Sequence, residues 1–328
     1  MIQITERDEQ LIRKILRFKM VNYEMAREIY KNKWAYYKRI DRLIEEKVLK
    51  KVAGKYLTLD TGGIEYAAIE LGESFEPLSN PTSKEMVYRW KNIVMVGNRA
   101  YIYPHFRTAW ELKQQSREGG RKDGISDKNK ILGEANGYGI FKVSSKSNMK
   151  VLSEMISDMD ELVNYGIERF IFLCEGQEKL KDFLDVILKH GTKIRAKALH
   201  ALPLNESGMR IMDVIVGIAG WKQKVAGKVY SSTFPSRHRV FDFEAGGRYV
   251  YIGIDGDMIG KKAVEDVLKA GMRQAVEVLI LKGQGWRYEG LPVVLRTITM
   301  QEFLSAVGYI EQPSSDEQTQ IQNEVMEQ

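Results

Sequence analysis

Cysteine is almost missing from this chain: Cys174 is the one cysteine among 328 residues. A single cysteine excludes a disulfide framework and any zinc site built from several cysteines. The four histidines are scattered, and none forms a His-x-His or His-x-x-x-His pair, the spacings that bring two metal ligands together. The sequence therefore predicts no clustered histidine metal site, and it lacks the paired histidines that rolling-circle initiators and relaxases usually need.

Long apolar runs are also missing. The longest, residues 211–221, contains Asp213 and is shorter than the ~20 residues that span a bilayer. The first ten residues are already charged, so we expect no signal peptide. Hydrophobic residues make up 44% of the chain and charged residues 29%, which is typical of globular proteins. These features predict a cytoplasmic protein of two or three domains that does not contact a membrane.

The charge of the chain is unevenly distributed. Lysine and arginine outnumber aspartate and glutamate by 50 to 44, a net charge of +6. Residues 311–328 hold five acidic residues and no lysine or arginine, so residues 1–310 carry +11. A basic body favours a polyanionic partner. The polar, acidic segment 312–328 is predicted to be disordered.

The first 72 residues show a regular succession of helix and strand patterns. Thr5 and Asp8 have the spacing of a capping box, and Asn22 is a plausible N-cap for a second helix. Ala53-Gly54 marks a tight turn between two short strands. The predicted elements are helices over residues 4–18, 23–30 and 33–47, strands on either side of the turn within residues 48–59, and a helix over residues 64–71.

This order, three helices, a hairpin and a helix, is that of a winged helix-turn-helix domain. The segment YKRIDRLIEEKVLKK (residues 37–51) resembles a recognition helix that runs into the first wing strand. YLTLDTGGIEYA (residues 56–67) resembles the second wing strand and the helix after it. Lys47 stands where that family often ends the recognition helix with glycine, a departure that concerns the helix cap more than the fold.

Basic residues cluster at the start of the third helix and on the hairpin. In a helix-turn-helix, the recognition helix enters the major groove with its N-terminal residues toward base edges, and wing lysines neutralise phosphates. Trp34 has two open interpretations, stacking against DNA or packing within the domain. The predicted contacts to double-stranded DNA are Lys31, Lys33, Trp34, Tyr37, Lys38, Arg39, Arg42, Lys50, Lys51 and Lys55.

Strand and helix patterns alternate beyond a polar linker at residues 73–84, so residues 85–311 are predicted to form an α/β domain. Three hairpins are expected: residues 93–96 with 99–103, 130–135 with 139–143, and 237–243 with 249–255. One hairpin–helix–strand pattern occurs twice, in GYGIFKV–helix–ERFIFLC and in RYVYIGI–helix–AVEVLIL. Two architectures stay open for this α/β body: a degenerate restriction-endonuclease-like fold and a duplicated hairpin–helix–strand unit.

Catalytic motifs are absent or incomplete. A restriction-endonuclease-like centre needs an acidic residue on one strand and an acid-x-Lys on the next, to bind magnesium and activate water. Glu134 fits the first position, but the next strand offers no second acid. Asp242, Asp255 and Asp257 in the later hairpin lack the lysine. Gly256, Gly260, Lys261 and Lys262 lie between a strand and a helix, as in a phosphate-binding loop, but their spacing is one residue short. Lys262 also stands where serine or threonine should hold magnesium. We therefore predict no catalytic residue, cofactor or metal.

The start ITERDEQLIRKILRFKMVNYEMAREIY and the YKRIDRLIEEKVLKK helix together resemble the replication-relaxation family of plasmids and other mobile elements. The resemblance covers about the first 70 residues and implies a role in plasmid replication or DNA relaxation. The leading hypothesis is a non-catalytic, sequence-specific DNA-binding protein that recognises origin sites, acts as a homodimer and recruits replication or conjugation proteins. The alternatives are a transcriptional regulator with a dimerising or ligand-sensing α/β domain, and a metal-dependent nuclease.

Overall fold

The computed structural model describes residues 2–30, 33–75, 84–118, 125–126, 128–190 and 195–311. These residues form a mixed α/β structure with twelve α-helices and three β-sheets. They divide into two compact units, one reaching to Asn98 and one covering Arg99–Ile310. In this described part of the chain, no helix is both long and apolar enough to cross a bilayer. The predicted disordered segment 312–328 lies outside the described residues.

The first unit contains five helices and an antiparallel three-stranded sheet with the order β1-β3-β2. The apolar face of its first helix is buried in the core of this unit through Leu11, Ile12, Ile15 and Phe18. The elements are α1 (Glu6–Phe18), β1 (Val21–Asn22), α2 (Tyr23–Tyr30), α3 (Lys33–Glu45), β2 (Leu49–Val52), β3 (Tyr56–Leu59), α4 (Thr61–Glu70) and α5 (Lys84–Gly97).

The predicted helix caps of this unit are confirmed. Thr5 and Asp8 form a reciprocal capping box at the start of α1. The Asn22 side chain accepts a hydrogen bond from the Met25 N–H at 2.8 Å, which caps α2. Lys47, just past the end of α3, has a φ of 58°, the left-handed conformation that glycine adopts most easily. A lysine at this position is therefore less favourable for the backbone than the glycine that the winged-helix pattern often has there.

The expected hairpin of residues 93–96 with 99–103 is wrong, because residues 93–96 belong to α5. Trp90, Ile93 and Val94 recur at helical spacing and are all buried. The β-branched residues at 93, 94 and 96 resemble a strand when the residues before them are left out of the window. Helix α5, which the sequence assigned to the α/β domain, groups with the first unit.

The second unit contains two five-stranded sheets that share one topology. In each, the first three strands are antiparallel and the last three parallel. The first sheet and its helices are β4 (Phe106–Thr108), α6 (Ala109–Glu118), β5 (Gly133–Ala135), β6 (Tyr138–Val143), α7 (Met149–Val163), β7 (Arg169–Cys174), α8 (Gln177–His190) and β8 (Ala198–Pro203). The second set is α9 (Glu206–Gly217), α10 (Trp221–Val229), β9 (Phe234–Pro235), β10 (Phe243–Ala245), β11 (Arg248–Ile252), α11 (Met258–Lys269), β12 (Val276–Leu281), β13 (Val294–Ile298) and α12 (Met300–Val307).

The repeated pattern read from the sequence corresponds to these two sheets. The β5–β6 hairpin turns at Asn136-Gly137 and the β10–β11 hairpin at Gly246-Gly247. All four turn residues have positive φ, as a two-residue type I′ turn requires. The central parallel strands β7 and β12 are buried along almost their whole length, which is why their sequences are continuous apolar runs.

The predicted strand at residues 237–243 is largely wrong, because regular pairing begins only at Phe243. The preceding residues form a side-chain-stabilised turn. The Ser236 hydroxyl donates to the His238 carbonyl at 2.8 Å and accepts from the His238 N–H at 3.1 Å. Local hydrogen bonds of this kind compete with ladder formation.

Candidate nucleic-acid interface

Helix α3 presents one face to the core and the other to solvent. Tyr36, Ile40 and Leu43 are each 1% exposed and attach the helix to the first unit. Lys38 and Arg42, one turn apart, lie on the opposite, exposed face. The alternation follows from the 3.6-residue helical period. The side chains of Lys38 and Arg42 therefore lie on the solvent-exposed side of α3.

Arg39 lies between these faces and makes an ion pair within the first unit. Its Nε donates to Asp8 at 3.0 Å, and Asp8 also accepts from the Tyr30 hydroxyl at 2.6 Å. Burial alone would raise the pKa of Asp8, but the hydrogen bonds from Arg39, Tyr30 and Thr5 outweigh it and lower the pKa. Arg39, predicted to contact DNA, thus fixes α3 against α1 and α2.

The β2–β3 hairpin carries the second group of predicted cations. Its turn contains Ala53 and Gly54, both with positive φ. Lys51 and Lys55 are exposed, whereas Lys50 is half-buried. Strand β3 also pairs with β1, so the hairpin is held at its base by the strand that precedes α2. The cations of the hairpin therefore stand on a defined scaffold.

The predicted residues thus have different places in the structure. Tyr37, Lys38 and Arg42 share the exposed side of α3, with Tyr37 half-exposed and its ring 4.5 Å from that of Tyr36. Lys31 lies outside the described residues. Lys33 and Trp34 belong to the first turn of α3, and the structure describes only their backbone. Both interpretations of Trp34, stacking against DNA and packing within the domain, therefore stay open.

The exposed side of α3 and the hairpin together have an excess of positive charge, since Lys38, Arg42, Lys51 and Lys55 outnumber the exposed acidic residues Asp41 and Glu45. In the described residues, Lys38, Arg42 and Lys55 make no ion pair, and Lys51 has only a long contact of 3.9 Å with Asp41. Both partners of that contact are more than half exposed, so water and salt screen it. Most of this charge is therefore available to an external anion.

A polar cluster in the second unit concerns the nuclease alternative. Lys222 of α10 donates to Asp242 at 2.9 Å and lies 3.9 Å from Asp255. The lysine that the sequence around the later hairpin lacks is thus supplied by another element. Burial alone would lower the pKa of Lys222, but Asp255 and Asp242 raise it above its usual value. Sequence reasoning missed Lys222 because no local spacing connects α10 to the hairpin.

Asp255 also has a histidine neighbour from the first sheet. His200 on β8 places Nδ1 3.2 Å from the Asp255 carbonyl and 3.7 Å from its carboxylate. Asp257 caps α11 through the Ile259 N–H and accepts from the Leu199 N–H, both at 3.1 Å. No group of three or more acidic, histidine or cysteine side chains in the described residues could hold a metal ion.

Glu134, the other sequence-predicted acid of a nuclease centre, stands apart from this cluster. It is buried on β5, where Arg107 donates to it at 2.7 Å and the Gly137 N–H also donates. Glu134 thus stabilises its hairpin turn.

No protein-family model, no curated protein and no solved structure matches the chain. The functional argument therefore depends on the residues and their geometry.

Proposed function

We propose that this protein binds double-stranded DNA sequence-specifically through α3 and the β2–β3 hairpin of the first unit, which we interpret as a winged helix-turn-helix domain. Helix α3 is the recognition helix, and the hairpin is the wing. Tyr37, Lys38 and Arg42 face base edges and nearby phosphates, and Lys50, Lys51 and Lys55 contact the backbone.

One observation carries this proposal: the exposed face of α3 holds Lys38 and Arg42 without ion-pair partners in the described residues, on a helix whose other face is buried. Leaving cations unpaired on a rigid helix gives little stability but suits an anion that arrives later. Arginine can also form two parallel hydrogen bonds to guanine, the commonest specific base contact.

The resemblance to the replication-relaxation family supplies the biological setting of the proposal. We place the protein in replication initiation or DNA relaxation of a plasmid or other mobile element, where it binds origin sites without catalysis of its own. It acts as a homodimer, as helix-turn-helix proteins commonly do when they bind two half-sites about one helical turn apart. The second unit then serves dimerisation or recruits replication or conjugation proteins.

The test is DNase footprinting of the full chain across its own gene and flanking DNA, at two salt concentrations. The test variant is Lys38→Ala with Arg42→Ala. The control is Lys269→Ala with Arg273→Ala, two exposed cations of the second unit. Several regularly spaced protected sites, lost only in the test variant, support an origin-binding protein. One protected site over the promoter favours a transcriptional regulator, and no protection at low salt refutes DNA binding through α3.

A second candidate function, hydrolysis of DNA, is favoured by the contacts of Lys222 with Asp242 and Asp255. Two carboxylates and a lysine are the side chains with which metal-dependent nucleases bind magnesium and activate water. The discriminating assay is nicking of supercoiled plasmid with Mg²⁺ or Mn²⁺. Nicking that Lys222→Met abolishes, in a variant that near-ultraviolet circular dichroism shows to be folded, would support hydrolysis, whereas no nicking with either metal would refute it.

A further inference from the structure

The first and last residues of the second unit lie side by side. Arg99 Nε donates to the Asp213 carboxylate at 2.8 Å, and the Tyr309 hydroxyl donates to the same carboxylate at 2.8 Å. The Tyr309 ring stacks on that of Tyr101 with 4.8 Å between centroids, and the Ile310 N–H donates to the Tyr101 hydroxyl at 2.7 Å. The chain therefore leaves this unit next to the point at which it enters it.

This junction is a fixed feature of the second unit. Asp213 is buried, and a buried ion pair is costly to break because an unpaired charge is left behind. Arg99 directly follows Asn98, with which the described first unit ends, and Ile310 is followed by Glu311. The first unit and the residues after Glu311 are therefore both attached to one junction.

The residues after Glu311 carry charge of one sign. Residues 312–328, the acidic segment, contain Asp316, Glu317, Glu324 and Glu327 and no lysine or arginine. Segments of like charge often bind a partner of opposite charge. The acidic segment extends to roughly 55 Å at ~3.3 Å per residue. A unit of ~100 residues has a radius of gyration of only ~13 Å, so this reach covers the surface of the first unit.

The exposed side of α3 and the β2–β3 hairpin have the opposite charge. Their exposed cations outnumber the exposed acidic residues of α3, Asp41 and Glu45. Lys38, Arg42 and Lys55 make no ion pair in the part of the chain that the structure describes. A tethered partner needs little affinity to occupy such a surface, because a short tether gives an effective concentration in the millimolar range.

We propose that the acidic segment binds the exposed side of α3 and the hairpin, where it competes with DNA for the same cations. Its carboxylates take the places of phosphates, so DNA binds only after it has displaced them. Docking of the segment depends on opposite charge and on attachment at the junction. Its effect on DNA rests on the DNA-binding function proposed above.

A spin label measures docking without DNA. Cys174 is buried, so a nitroxide reagent reacts selectively at a cysteine introduced into the acidic segment by Gln320→Cys. Paramagnetic broadening of backbone amide signals should be strongest around Lys38, Arg42 and Lys55 at low salt. It should vanish near 1 M salt, where the Debye length is ~3 Å. Absent broadening, or broadening centred on another surface, would overturn the proposal.

Two full-length variants then test the role of the acidic charges. The test variant carries Asp316→Asn, Glu317→Gln, Glu324→Gln and Glu327→Gln. The control variant carries Glu118→Gln, Glu178→Gln, Asp185→Asn and Glu289→Gln, at exposed positions of the second unit. Both variants change the net charge equally, so any difference between them reports where the charge lies. Broadening around α3 should be lost in the test variant and kept in the control.

Fluorescence anisotropy with a labelled duplex of random sequence measures the competition. The test variant should bind the duplex at least about threefold more tightly than the control at low salt, because DNA no longer displaces a set of exposed ion pairs. The difference should shrink as salt rises, since salt screens exposed charges. Equal affinities of the two variants would overturn the competition.

A third variant, Lys38→Ala with Arg42→Ala, separates this proposal from the proposed function. If α3 does not bind DNA, this variant keeps the affinity of the wild type, while broadening around α3 still demonstrates docking of the acidic segment. If the segment does not dock, broadening is absent, while Lys38→Ala with Arg42→Ala still weakens DNA binding.

Discussion

Replacing Asp8 with alanine should destabilise the first unit by about 2–4 kcal/mol. Asp8 is completely buried and accepts from the Thr5 N–H at 2.7 Å, the Tyr30 hydroxyl at 2.6 Å and Arg39 Nε at 3.0 Å. Loss of the bond from the Thr5 N–H to Asp8, one half of the capping box, costs about 1 kcal/mol, and a buried unpaired Tyr30 hydroxyl costs about 1–3 kcal/mol. The Arg39 side chain is 20% exposed and reaches water, so its loss contributes less.

Urea unfolding of the full chain, with amide hydrogen exchange in α1 and α3, measures this cost and assigns it to the first unit. Asp8→Asn keeps the size and an accepting oxygen but removes the charge, so it should cost only about 1–2 kcal/mol. A double-mutant cycle of Asp8→Ala with Tyr30→Phe should give a coupling energy of about 1–2 kcal/mol. A cost below about 1 kcal/mol for Asp8→Ala, with unchanged exchange in α3, would refute the role of Asp8.

The lowered pKa of Asp8 also predicts a pH dependence. A carboxyl group whose pKa is lower in the folded state stabilises the fold above its ordinary pKa of 3.8. That contribution is lost as pH falls below this value through the lowered pKa. The free-energy difference between wild type and Asp8→Asn should therefore be constant from pH 7 to pH 5 and shrink below pH 4. A difference that stays constant to pH 2 would contradict the assignment.

Four further substitutions test local features, each by chemical denaturation. Lys47→Gly should stabilise the protein by about 0.5–1 kcal/mol because residue 47 has a positive φ; a destabilisation would contradict this. Gly208→Ala in α9 should destabilise the protein by at least about 2 kcal/mol because the new Cβ would meet the Pro203 carbonyl. Its control, Gly227→Ala in α10, has open space around it and should be neutral or stabilising by up to ~1 kcal/mol. Equal effects of the two substitutions would refute the packing argument. Lys222→Met should cost about 1–3 kcal/mol because it removes the cation that pairs with the partly buried Asp242 and lies beside the buried Asp255, and a neutral result would refute this role of Lys222.

Local signals in the sequence predicted the first unit well. The capping box of Thr5 and Asp8 and the turn at Ala53-Gly54 each depend on residues close in sequence, and the structure contains both. The central strands β7 and β12 were also recognisable, since continuous apolar runs bounded by polar residues indicate strands buried on both faces.

The elements that sequence reasoning missed or misplaced depend on distant contacts. Helix α9 is buried on most sides, so it shows no amphipathic stripe that would separate it from a buried strand. Strand β9 is only two residues long and is defined by its pairing with β10. The side chains of α3 were predictable as a group, but the pairing of Arg39 with Asp8 was not, because 31 residues separate them.

The shared topology of the two sheets in the second unit has a consequence for folding. Tandem units of like design can exchange equivalent strands while the chain collapses, a known route to misassembly in repeat proteins. The two hairpins here keep a common turn, Glu-Ala-Asn-Gly at residues 134–137 and Glu-Ala-Gly-Gly at residues 244–247. The strands that follow, YGIFKV and RYVYI, differ at almost every position. This divergence makes a swapped strand a poor fit to the other core, so each half of the unit selects its own partners.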